Sequence, residues 1–178
     1  MKEFYQKKVV PQLKKEFGYK NNLMVPSLKK VVINIGLGQG LRDPKFNEAA
    51  ENTLKRISGQ QPVKTRAKKA ISAFKIRKGM VVGLKVTLRG ARMYDFVYKL
   101  INITLPRVRD FRGLSADLID QQGNLSIGFK ENIVFPEVKS DELDKIHGLE
   151  VSIETTAKNK AEGLALLKYL GFQFKSAV

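Results

Sequence analysis

Two stretches of this chain alternate apolar and polar residues, and they constrain the fold more than any other feature. Between Met80 and Arg89, the residues Val82, Leu84, Val86 and Leu88 fall on one side of an extended backbone, with Gly83, Lys85, Thr87 and Arg89 on the other. Between Leu28 and Ile35, the apolar set is Val31, Ile33 and Ile35, with Lys30 and Asn34 opposite. Helices cover only an apolar face, so strands of this kind leave the other face open. If the two strands share a sheet, that face presents Lys30, Asn34, Lys85, Thr87 and Arg89 together. The ordinary wet side of an antiparallel sheet gives such a pattern too. Here, however, amide and hydroxyl groups are interspersed among cations, and those are the groups that contact phosphate, the ribose 2′-hydroxyl and base edges.

The other elements follow from periodicity and punctuation. Phe4, Val9, Leu13 and Phe17 predict a helix over residues 2–17, which Pro11 bends or shortens. Asp43-Pro44 is a capping acid followed by proline at the first helical position; that helix runs to Ser58 and stops at Gly59. Val63 to Arg66 reads as a short strand. Met93, Phe96, Val97, Leu100 and Ile101 mark a buried helical stripe that Pro106 ends, and residues 107–123 read mostly as loop. Alternation predicts strands at Leu125–Phe129 and Leu149–Ile153, and the last helix spans Lys158 to Leu170, closed by Gly171. Strands and helices mix without strict βαβ alternation. The expected class is α+β: a single domain over residues 1–178, a two-layer sandwich with a largely antiparallel sheet, helices on one face and the other face open.

Charge is distributed as unevenly as hydrophobicity is regular. Residues 1–90 hold 21 basic and 5 acidic residues, while residues 91–178 hold 12 of each, so the whole net charge of +16 lies in the first half. No acid stands between Glu51 and Asp95, where there are 12 basic residues. A solubilising surface is better served by interspersed signs. A one-signed field in a folded domain suits a phosphate backbone. The absence of cysteine excludes disulfides and thiolate metal sites. No apolar run approaches the roughly 20 residues of a membrane span, and the first residues read neither as a secretory signal nor as a transit peptide.

Signals for catalysis are weak. His147 is the only histidine and reads as a surface or turn residue. The run Ile35-Gly36-Leu37-Gly38-Gln39-Gly40 follows a strand but has Leu41 where a dinucleotide loop needs glycine, and it lacks the Gly-Lys-Ser/Thr of a phosphate loop. A tight turn is the preferred reading. Asp141, Glu142 and Asp144, close after Glu137, lack calcium-loop spacing and read as a solvated loop or as a contact for a basic protein. The segment from Ala67 to Gly79 carries five basic residues with Ile71, Phe74 and Ile76, so a base can stack on it, its apolar residues can pack on the core as a helix or hairpin, or both. Neither metal nor cofactor is expected, and the chain does not read as an enzyme.

The segment Leu54-Lys55-Arg56-Ile57-Ser58-Gly59-Gln60-Gln61-Pro62-Val63-Lys64-Thr65-Arg66-Ala67-Lys68-Lys69-Ala70 fits the signature of the bacterial large-subunit ribosomal protein L-five family at every constrained position. The stretches Lys30 to Gly38, Phe74 to Gly79, Gly128 to Glu131 and Phe135 to Glu137 also resemble that family, along essentially the whole chain. The resemblance implies a cytoplasmic ribosomal protein of the central protuberance that binds 5S rRNA and helps attach it to 23S rRNA. It implies 5S rRNA on the open sheet face, at Lys30, Asn34, Gln60 and Thr87, with Lys85 and Arg89 on the same polar face. A protruding loop at about residues 71–80 would approach the P-site tRNA or 23S rRNA through Lys75, Arg77 and Lys78, helped by Lys68, Lys69 and Phe74. The loop at about residues 137–144, with Glu137, Asp141, Glu142 and Asp144, would meet small-subunit protein S-thirteen, and other central-protuberance proteins would be neighbours. The rival readings are an RNA chaperone or DNA-compacting protein, and an RNA-processing or phosphoryl-transfer enzyme.

Overall fold

The structure is a computed structural model that describes residues 1–38, 44–138 and 146–175. The expected capping acid Asp43 lies outside these residues. The described chain is α+β, with an open antiparallel five-stranded sheet and several helices. The strands are β1 (Leu28–Gly36), β2 (Val63–Arg66), β3 (Val81–Leu88), β4 (Leu125–Phe129) and β5 (Leu149–Thr155), in the spatial order β2-β3-β1-β5-β4. The helices are α1, described below, α2 (Pro44–Ser58), α3 (Gly90–Lys99) and α4 (Lys160–Leu170). Because β3 lies between β2 and β1, the stretch β1-α2-β2-β3 forms a split βαβ unit.

Helix α1 is built from Lys2–Phe4, Tyr5–Val9 and Val10–Phe17, and its middle segment is π-helical. Pro11 explains the wide turn. It has no N–H to give, and its ring crowds the carbonyl one turn back. The Val10 N–H reaches the Tyr5 carbonyl instead, five residues away, and the helix continues rather than shortening. Pro106 acts similarly on α3, which continues through a π-helical segment, Leu100–Thr104, and a 3-10 turn, Leu105–Arg107.

The residues group into two compact units. The first comprises Met1–Val31, Leu88–Ile127 and Ser152–Val178. In it α4 packs on α1, with Leu13 of α1 and Leu166 and Leu167 of α4 fully shielded from solvent. Tyr5 donates to the Pro26 carbonyl at 3.0 Å and lies 6.1 Å from the Tyr94 ring, centre to centre. Burial and the neighbouring Tyr94 push the Tyr5 phenol up to about 12. Helix α4 starts two residues later than expected because Asn159 caps it. Its side chain accepts from the Glu162 N–H at 2.8 Å, and the Glu162 carboxylate accepts from the Lys158 N–H at 2.9 Å.

The second unit comprises Val32–Thr87 and Gly128–Val151. Its helix α2 buries Phe46, Ala50, Thr53, Leu54 and Ile57, the stripe of an amphipathic helix. Gly59 adopts left-handed backbone and donates to the Lys55 carbonyl at 2.8 Å, which ends α2 where the sequence says it should end. His147 departs from expectation, being 6% exposed. Its ring meets Phe46 edge-on at 5.8 Å, and Nδ1 lies 3.4 Å from the Asn132 amide nitrogen. A lone histidine reads as a surface residue only while its tertiary partners are unknown.

Candidate nucleic-acid interface

The second unit contains most of the open polar face. Strands β2 and β3 pair antiparallel with Val63 opposite Lys85, Lys64 opposite Leu84 and Thr65 opposite Gly83. Residues directly opposite share a face, so Val63 and Thr65 stand with Lys85 and Gly83, whereas Lys64 shares the side of buried Leu84. Lys64 binds Glu51 of α2 at 2.9 Å, and the same carboxylate accepts from Gln61 at 2.8 Å. Part of the basic signature thus serves to hold β2 against α2.

Gly83 organises the centre of the polar face. A Cβ there would lie 2.8 Å from Thr65 Oγ1, 3.0 Å from the Ile35 carbonyl oxygen and 3.9 Å from Asn34 Oδ1. The missing side chain lets the Thr65 hydroxyl lean across β3 towards the Asn34 carboxamide on β1. Three adjacent strands thereby place a hydroxyl, a bare backbone and a carboxamide in one row. The side chains of Asn34, Gln60, Thr65 and Thr87 have no hydrogen-bond partner among the described residues, and Lys85 has no ion-pair partner there. Gln60 is set by the turn after α2, where Ser58 Oγ donates to the Leu54 carbonyl at 2.6 Å and accepts from the Gln60 N–H at 3.3 Å.

In the first unit, Lys30 is placed differently. Lys30 Nζ lies 2.6 Å from one oxygen of Glu154 and Lys29 Nζ lies 2.7 Å from the other. These two hydrogen-bonding cations hold the Glu154 carboxyl below its usual range. Arg89 is exposed and extended, and immediately precedes α3.

The basic segment after β2 is a small hairpin. Ala67 donates to the Met80 carbonyl and Gly79 to the Ala67 carbonyl, both at 2.9 Å, closing its base. Ile71 and Ile76 exchange backbone hydrogen bonds at 2.9 and 3.1 Å around the Ser72–Phe74 turn. Phe74, 68% exposed, and Ile71 do not pack on the core, while Ile76 is half-buried. Lys68, Lys69, Lys75, Arg77 and Lys78 surround them, all five exposed.

Two family models match the chain in succession. That of "Ribosomal protein L5" covers residues 21–77, and that of the C-terminus of the same ribosomal family covers residues 81–174. The chain is 56% identical to a protein of Desulforapulum autotrophicum named "Large ribosomal subunit protein uL5", over 99% of its own length and 98% of that relative's. It is 55% identical to the protein of the same name from Kosmotoga olearia, over 98% of its own length and 96% of that relative's, and 55% identical to the one from Thermotoga maritima, over 98% and 95%. The chain belongs to the ribosomal protein L5 family. Members of the L5 family are structural ribosomal proteins rather than enzymes, and rRNA binding is characteristic of the family.

Leu37 donates to the Val82 carbonyl at 2.9 Å, so the start of the glycine-rich run is backbone paired to backbone. Glu137 is half-buried, while Asp141, Glu142 and Asp144 lie outside the described residues. Among the described residues no helix is long and apolar enough to cross a membrane. Sequence reasoning missed Thr65 as a member of the polar face and Gly83 as its organiser. A glycine inside an alternating strand was the available signal, because it marks close approach of another group.

Proposed function

We propose that this protein holds 5S rRNA on the polar face of β1, β3 and β2 and helps attach it to 23S rRNA in the central protuberance. The coarser role follows from the family: the protein is a structural constituent of the large ribosomal subunit, in the cytoplasmic ribosome. The observation that carries the finer reading is the row of unpartnered groups at Asn34, Thr65 and Thr87, with Gln60 at the end of α2 and Lys85 among them. Side chains that make no internal hydrogen bond and sit on a rigid sheet cost little to reorganise on binding. Hydroxyl and carboxamide groups read 2′-hydroxyls and base edges, which a field of lysines does not.

The same proposal gives the hairpin of residues 67–80 to P-site tRNA or 23S rRNA, with Lys75, Arg77 and Lys78 on phosphates and Phe74 free to stack. It gives the loop at residues 137–144 to small-subunit protein S-thirteen, with other central-protuberance proteins alongside. Competition among 5S rRNA, an unrelated RNA of equal length and duplex DNA, at one salt concentration, tests the central claim. The intact protein should prefer 5S rRNA, and Asn34→Ala and Thr65→Val should each remove most of that preference. Equal affinity of the intact protein for all three would favour a general RNA chaperone or DNA-compacting role instead.

A further inference from the structure

The first unit holds a cleft of about 630 Å³, lined by Asn102, Leu105, Asp110, Phe111 and Gln173 among others. That size falls within the roughly 300–1,000 Å³ of small-ligand sites. Its walls are fixed by hydrogen bonds. Leu114 donates to the Gln173 carbonyl at 2.8 Å, and Lys175 donates to the Leu114 carbonyl at 2.9 Å, stapling loop 107–113 to the C-terminal segment. Gly113 makes this approach possible: its φ is +96°, and a Cβ there would lie 3.0 Å from the Lys175 nitrogen. On the opposite wall, Asn102 lies in the π-helical segment next to Pro106, and its amide nitrogen donates to the Tyr98 carbonyl at 2.8 Å. That bond uses a donor and leaves the Asn102 side-chain oxygen as an acceptor.

The charge around the cleft is local and one-sided. Arg107, Arg109 and Arg112 flank the lining residues along the chain, against the single acid Asp110. Arg107 and Arg109 are exposed. Arg109 and Asp110 are 3.9 Å apart with both side chains almost fully exposed, so solvent screens their attraction. An apolar protein-docking core is depleted of charge. Arginines beside an aromatic ring and two carboxamides are instead the set that takes an unpaired nucleotide: ring on base, amides on its edge, guanidinium on phosphate.

We infer that this cleft binds an unpaired ribonucleotide of a second RNA segment, with Phe111 against the base, Asn102 and Gln173 on its edge, and Arg109 on the phosphate. The inference does not depend on the 5S rRNA reading, because the cleft shares no residue with the sheet face. The test uses a fluorescent single-stranded hexauridylate containing 4-thiouridine. The protein is the full-length Lys75→Ala, Arg77→Ala, Lys78→Ala variant, so that the hairpin does not compete. Photocrosslinks should map to residues 102–112 or 171–173. Phe111→Leu and Arg109→Gln should each weaken binding about fivefold or more, Phe111→Tyr should restore it, and 5S rRNA affinity should not change. Crosslinks confined to the sheet face or hairpin would overturn the inference, as would Phe111→Leu binding normally. Displacement of the oligonucleotide by hexaglutamate at equal concentration would also overturn it, in favour of an acidic protein segment. Melting temperatures of both variants distinguish weakened binding from unfolding.

Discussion

The polar face of β2, β3 and β1 and the hairpin at residues 67–80 are neighbours in the chain and built on opposite principles. On the sheet face the groups available to a ligand are mostly neutral: a carboxamide on Asn34 and hydroxyls on Thr65 and Thr87, fixed by strand register and by the gap at Gly83. On the hairpin they are five cations and an aromatic ring, fixed only by a short ladder and a turn. Neutral groups on a rigid frame distinguish one surface from another, because a missing partner leaves a desolvated group unpaired. Cations on a narrow projection attract any polyanion and do so in proportion to the counterions released. On the proposed function, one protein would keep selectivity and attraction in separate places.

The strongest way to break this contrast is to fill the gap at Gly83. Gly83→Val should push Thr65 aside and press on the Ile35 carbonyl. The expected cost is about 1–3 kcal/mol of stability from overpacking, with loss of most of the preference for 5S rRNA. Denaturation and competition binding measure the two effects separately. Retained preference would mean that Thr65 is not aligned by Gly83.

Next in size is Asn34→Ala, expected to cost roughly 1–3 kcal/mol of 5S rRNA affinity by analogy with base contacts. Its salt slope should match that of the intact protein. A slope that falls with the affinity would show that Asn34 acts through the local field and not through its own hydrogen bond. Replacing Lys75, Arg77 and Lys78 by alanine should give the reverse signature. Affinity for all RNAs should fall together, with the slope reduced by roughly 0.7–0.9 for each phosphate no longer neutralised.

The smallest effect is expected at Glu154. Glu154→Gln should free Lys29 and Lys30, steepen the salt slope slightly and raise affinity for unrelated RNA. The pH dependence has a definite sign. The folded carboxyl is held below its usual value, so its stabilising contribution is present above about pH 4.5 and disappears as pH falls through the lower folded value. The acid limb of the stability curve should be shallower in Glu154→Gln than in the parent. A raised tyrosine acts at the other extreme. Tyr5, pushed up to about 12 from 10.0, favours the folded state below pH 10, and that contribution fades as pH rises towards 12.

Much of the sheet was legible because strand alternation is local. Val82, Leu84, Val86 and Leu88 declare a face without reference to anything else, and so do Asn34, Lys85 and Thr87. What was not legible depends on register or on distant partners. Thr65 joins the face only once it is known to sit opposite Gly83. The burial of His147 depends on Phe46, far away in the chain. Pro11 and Pro106 were recognisable as disturbances, but whether a helix stops or widens into a π turn is decided by the packing around it. The hairpin illustrates a third kind of limit. Its basic and apolar residues were plain, yet only the Ile71 and Ile76 pairing turns Phe74 outward instead of into the core.

Glu154 acts as a resident counterion. Lys29 and Lys30 already have a carboxylate beside them, so a nucleic acid arriving there displaces an anchored group and not a diffusing ion. No entropy of dilution is gained when the displaced charge stays attached to the chain. That end of β1 is consequently expected to attract arbitrary polyanions weakly, although its sequence contains two adjacent lysines. On the proposed function, an RNA strand passing over this end of β1 would gain little there and be held instead where neutral groups match.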